Sequence, residues 1–149
     1  MKKFVGILIV FVVFVAATAY TTPHPQTAPS IEGTWELVNF YNYDDSGKIS
    51  DTVPTTKGYR QIKMYYNGKV MWTRYVPADS VEWFGYGSYK VTDSTLSECL
   101  EYMSASMSKI ANELREWNME LILRKDTYSQ IFTDGEGHRT FSENYKRLD

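Results

Sequence analysis

The side chains of this sequence that could do chemistry are charges set among aromatic rings. Across Thr95–Met103, two-residue alternation places Leu96, Glu98, Leu100 and Tyr102 on one face and Cys99, Glu101 and Met103 on the other. A carboxylate in apolar company must find a partner, because desolvating a charge costs several kcal/mol. The same alternation puts Trp72 with Arg74, and Phe141, Glu143 and Tyr145 with Arg147. Arg74 is therefore expected to pair with Glu98 or with Glu143, beneath aromatic walls from Trp72, Tyr86, Tyr102 and Tyr128. Such a cluster has two readings. It is the charged end of a site for a small amphipathic molecule, whose body packs on the rings, or it is a buried pair that serves the fold alone.

Other chemistries find little support. The two histidines are His24, in a Pro-rich stretch, and His138, in a Gly-rich turn; with one cysteine they complete no set of metal ligands. No Ser-His-Asp arrangement forms around His138. Glu98 and Glu101 fall on opposite strand faces, which leaves Glu98 with Glu143 as the carboxylate pair a glycosidase would need. The expectation is a protein without metal, cofactor or catalytic activity. Cys99 cannot make a disulfide within this chain and is expected to be buried rather than paired between chains.

Positioning those charges requires a sheet that curls. From Ile31 onward, β-branched and aromatic residues recur in short runs separated by Gly, Asn, Asp and Pro, which predicts an all-β domain. The predicted strands are Gly33–Tyr41, Tyr59–Tyr66, Lys69–Val76, Trp83–Val91, Thr95–Met103, Met119–Lys125, Thr127–Thr133 and Arg139–Leu148. Asn67-Gly68 supplies the positive φ angles of a type I′ hairpin, and Asp44–Gly47, Lys125-Asp126 and Asp134–Gly137 give further turns. About eight strands in sequential antiparallel order suffice to close a small up-and-down β-barrel. One stretch departs from this pattern. Met103, Met107, Ile110, Leu114 and Trp117 share a helical face, predicting a short helix near Ser106–Glu116 with Ser104 or Ser106 as its cap. It is read as a core plug of one barrel end, with a lid over a cavity as the alternative.

Ahead of the barrel, Met1-Lys2-Lys3, the apolar run Phe4–Val15 and Ala17-Thr18-Ala19 read as an export signal over residues 1–19, cleaved after Ala19. The run is shorter than the ~20 residues a spanning helix needs, so no membrane span is expected after cleavage. Residues 20–30 are a Pro-rich tether and 31–149 one domain. The chain carries a formal charge of −2, and losing Lys2 and Lys3 makes it more acidic, which argues against a nucleic-acid partner. The expected location is the periplasm or the outside of the cell.

Gly33-Thr34-Trp35 has the G-x-W pattern with which lipocalins and related calycins begin their first strand. The aromatic hairpin Ile62–Tyr66 to Met71–Tyr75, the strand Gly85–Tyr89 and the ending Glu143-Asn144-Tyr145-Lys146-Arg147 follow in order. Together they resemble the small lipocalin-like domains that bacteria export. The resemblance implies that Trp35 closes the barrel floor and that Arg147 covers it, a structural latch. It implies further a binding protein for a small apolar or amphipathic molecule in the cell envelope. The alternative is an interaction module that meets a protein or a glycan on the barrel exterior, with no ligand inside. The Met- and Ser-rich insertion Met103–Asn118 departs from the family pattern, and the loop motif midway along the barrel is absent, so no particular lipocalin ligand is carried over.

Overall fold

A computed structural model describes residues 28–111 and 114–149; the expected export signal and most of the expected tether lie outside the described residues. The elements are β1 (Gly33–Tyr43), β2 (Ile49–Pro54), β3 (Arg60–Tyr66), β4 (Lys69–Tyr75), β5 (Trp83–Val91), β6 (Thr95–Met103), α1 (Ala105–Ile110), β7 (Glu116–Leu123), β8 (Thr127–Thr133) and β9 (Arg139–Arg147). Strands β3 to β9 pair antiparallel with their neighbours in chain order. β1 then pairs with β3 through Gly33–Glu36 and with β9 through Trp35–Asn42, closing an eight-stranded barrel. Closure leaves no free edge among these eight strands over the paired lengths. The ninth strand, β2, continues along the edge of β1 that β3 uses, pairing with Asn39–Tyr43. All six of its residues are exposed, so no buried-and-exposed alternation marked it in the sequence.

Alternation decides what enters the barrel. β3 turns Gln61, Lys63 and Tyr65 inward, β4 Val70 and Trp72, and β8 Tyr128 and Gln130. The β3–β4 hairpin closes on Asn67 and Gly68 at φ 47° and 74°, the left-handed backbone an Asn-Gly turn favours. At one end of the barrel Trp35 is fully buried and meets Tyr128 edge to face, with centroids 4.8 Å apart. The Arg147 guanidinium lies 4.0 Å from the indole centroid. It also donates to the backbone oxygens of Ser30 at 2.6 Å, Glu32 at 2.7 Å and Lys125 at 3.0 Å.

Three local expectations are corrected. In the β5–β6 ladder Gly87 faces Leu100 while Tyr86 faces Tyr102, so Glu101 is an extra residue in β6. This bulge reverses the alternation: Leu96, Glu98 and Leu100 point inward, whereas Tyr102 is turned outside and 65% exposed. Cys99 is exposed rather than buried, because it occupies the outward phase of the same strand. The helix is shorter than its spacing suggested and begins one residue earlier. Ser104 caps α1 by accepting from the Met107 N–H at 3.2 Å. Glu116 and Trp117 join β7 instead, since pairing with Cys99 and Glu98 supplies the backbone partners that further helix would have given. No residue of α1 is buried, so it does not plug the barrel. No helix among the described residues is long and apolar enough to cross a membrane.

Candidate functional site

Lys63 of β3 forms the centre of a polar layer across the barrel. Its ammonium donates to Glu98 Oε1 and Oε2 at 2.9 and 3.0 Å and to Gln130 Oε1 at 2.8 Å. Those three acceptors use every donor that the group has. Glu98 also accepts from the Tyr65 hydroxyl at 2.5 Å. On the other side, Glu143 Oε2 accepts from Gln130 Nε2 at 2.9 Å, Gln61 Nε2 at 3.1 Å and the Tyr145 hydroxyl at 2.5 Å. Lys63, Glu98 and Gln130 are each at most 5% exposed, and no buried side-chain nitrogen or oxygen among the described residues lacks a partner. Full satisfaction is what lets charge stand so deep, since each unmatched group there would cost about 1–3 kcal/mol or more.

Below this layer lies the apolar cluster around Trp35, with Val70, Leu96 and Leu121, from which Tyr65, Tyr128 and Tyr145 reach up with their hydroxyls. Burial, reinforced by the nearby carboxylates Glu98 and Glu143, pushes all three phenols well above their ordinary range. Above it the barrel opens into a cavity of about 200 Å³. Its floor is the polar layer. Its walls are Trp72, Trp83, Leu100, Trp117, Met119 and Phe132, and Met107 and Ile110 of the α1 segment stand at its mouth. Gly85, directly opposite Trp72 in the ladder, makes room for the indole: a β-carbon there would approach the ring nitrogen to 2.6 Å.

Arg74 stands between the layer and the opening. Its Nε donates to Gln61 Oε1 at 2.7 Å, while its contact with Glu143 Oε1 is long, at 3.5 Å. Trp72 and Trp83 flank the guanidinium, with ring centroids 5.9 and 5.8 Å away. Tyr59 donates to the same Gln61 oxygen at 2.7 Å, and its phenol is pushed up to about 12, chiefly by burial.

Of the side chains singled out in the sequence, Trp72, Arg74, Glu98 and Glu143 meet around this cavity. Arg74 faces Glu143, and Glu98 has Lys63 instead. Tyr128 sits beneath the polar layer, stacked on Tyr145 with centroids 4.6 Å apart. Tyr86 and Tyr102 are outside, at 37% and 65% exposure, and line no part of the cavity. Sequence reasoning missed Lys63, Gln61 and Gln130. The signal was available in the period of β3, where Gln61, Lys63 and Tyr65 share the inward phase two residues apart.

The fold and the cavity define a class: a closed antiparallel β-barrel with a polar floor and an open end. No family model matches the chain, and no curated protein matches it. Among solved structures it is similar to an uncharacterized protein from Bacteroides eggerthii DSM 20697, with a TM-score of 0.51 and 15% identity, over 80% of this chain and 100% of that one. At that identity the likeness bears on the fold alone.

Proposed function

We propose that this is an exported, lipocalin-like binding protein of the cell envelope that takes a small amphipathic molecule into the open end of its barrel. The observation that carries the reading is the cavity, apolar along its walls and charged at its floor. A barrel built for stability alone gains more from filling its interior with hydrocarbon, because buried ion pairs repay their desolvation poorly and voids cost packing. Export is supported by the basic start Lys2-Lys3, the apolar run behind it and Ala17-Thr18-Ala19. The family reading is supported by Gly33-Thr34-Trp35 and by the guanidinium over that tryptophan. Native mass spectrometry of protein purified from its own host tests it: a small molecule held at a fixed mass offset is the expected result. A bare protein mass, with no molecule released on denaturation, would count against it.

A second reading has its own observation. On the outside, Met64, Met71, Tyr86 and Tyr102 are direct cross-strand neighbours over β3 to β6 and are all exposed. Such an apolar ladder suits contact with an envelope protein or a glycan. Under that reading, Met71→Ser with Tyr102→Ser abolishes cross-linking of the protein to an envelope partner in its host, and Arg74→Ala leaves it intact.

A further inference from the structure

We propose that the cavity selects a compact monocarboxylate and that Arg74 is the group that receives it; this rests on the binding reading and adds the charge and size of the ligand. The four charged side chains of the cavity are not equivalent. Lys63 spends all three donors on Glu98 and Gln130, and Glu98 is closed off by Lys63 and Tyr65. Glu143 Oε2 is occupied by three donors. Arg74 differs from them. Of its five N–H groups, Nε is committed to Gln61 and Nη2 reaches Glu143 only at 3.5 Å. Among the described residues Nη1 has no hydrogen-bond partner. The side chain is also the outermost of the four, 29% exposed against 5%, 6% and 10% for Lys63, Glu98 and Glu143. A molecule entering past α1 meets this half-used guanidinium first.

A planar fork with spare donors matches a carboxylate, which accepts two parallel N–H bonds. The carboxylate of Glu143 behind the guanidinium sets a limit on charge. A single negative charge is tolerated near it, whereas a dianion would be repelled. Volume sets the limit on size. An apolar cavity of roughly 150 Å³ admits benzene, so about 200 Å³ covers one ring and its head group, and a long acyl chain would have to stand out in solvent through the open end. The ring of such a ligand would lie among Trp72, Trp83, Leu100 and Trp117.

The test titrates the purified protein with benzoate, benzyl alcohol and benzylamine, which share a ring and differ in charge, and reads the fluorescence of the tryptophans that line the cavity. Benzoate is expected to bind at least about tenfold more tightly than benzyl alcohol, the gain of a charge-assisted fork, and benzylamine most weakly. On Arg74→Gln, benzoate loses its advantage and binds no more tightly than benzyl alcohol does on the same variant; Arg74→Lys keeps part of the preference. Should Arg74→Gln fail to fold, the order of the three probes on the unaltered protein and on Arg74→Lys decides the matter. Equal affinity for benzoate and benzyl alcohol, or a preference for benzylamine, overturns the carboxylate assignment while the binding reading stands. Binding of none of the three overturns the assignment of a compact ring carboxylate, while the binding reading is decided separately by the native mass spectrum.

Discussion

Lys63 and Arg74 enter the barrel from neighbouring strands, yet one is sealed within the polar layer and the other borders open space. Burial so deep makes the Lys63–Glu98 pair costly to break from one side. Lys63→Met leaves the carboxylate of Glu98 and the oxygen of Gln130 without their cation, and is expected to cost about 3–5 kcal/mol in urea unfolding. Lys63→Met combined with Glu98→Leu removes both charges and recovers most of that loss; a double variant no more stable than the single one would show that the pair is not coupled as its geometry implies. The buried phenols give a second expectation. Below the ordinary value of 10.0 they are neutral in both the folded and the unfolded chain. Above it the unfolded chain sheds phenolic protons that Tyr59, Tyr65, Tyr128 and Tyr145 retain when folded, Tyr59 up to about 12. The unfolded state then binds fewer protons, so stability falls as pH rises past 10.0. In an alkaline titration, the late phenolate absorbance should rise together with loss of the β-sheet circular dichroism. Smooth titration of every tyrosine near its ordinary value, with the sheet intact, would contradict it. Lys63 also shows where the sequence misleads at this scale: a lysine in a strand is read as exposed by default, and only the inward phase of Gln61 and Tyr65 argues otherwise.

Among the elements, those with a strong local code were legible. β5, β6 and β8 run over the residues the alternation gave them, and Asn67-Gly68 fixed the β3–β4 register. What escaped was set by neighbours in space. β2 has no buried face and exists because the long β1 extends past β3. The β6 bulge arises where Gly87 abuts the facing strand: a β-carbon on Gly87 would come within 2.0 Å of the Cys99 carbonyl oxygen, and backbone cannot yield as a side chain does. Gly87→Ala is accordingly expected to cost about 3 kcal/mol, at the upper end for an overpacked site. It should also raise amide exchange along β5 and β6 more than along β8 and β9. Destabilisation below about 1 kcal/mol, as most surface changes give, would mean the ladder can relax around the methyl. The insertion behaves differently. α1 buries no residue, and its cap is Ser104. Ser104→Ala should loosen the mouth of the cavity at a cost of about 1 kcal/mol.

At the scale of the molecule, closure rests on β1, which is held on both edges at Trp35 and Glu36. Arg147 ties the C-terminal strand to two stretches that are far apart in sequence: Ser30, Glu32 and the Trp35 ring at the start of the domain, and Lys125 between β7 and β8. A guanidinium with that many backbone acceptors fixes the N-terminal segment across the base of the barrel, where Trp35 itself donates to the Ile31 oxygen at 2.7 Å. Removing it opens the base without touching the polar layer or the cavity at the other end. Arg147→Ala is therefore expected to lose about 3 kcal/mol, the scale of charge-assisted hydrogen bonds plus a cation over an indole. For a domain of this size that lowers the melting temperature by roughly 10 °C. Arg147→Lys keeps the charge but only part of the fork, and should fall in between. Because base and cavity are separated by the Lys63–Glu98 layer, the affinity for benzoate at a temperature where the variant is folded should stay within about twofold of the unaltered protein, as independent sites do. Loss of binding in parallel with the loss of stability would instead show that the barrel responds as one unit, with its base controlling its mouth.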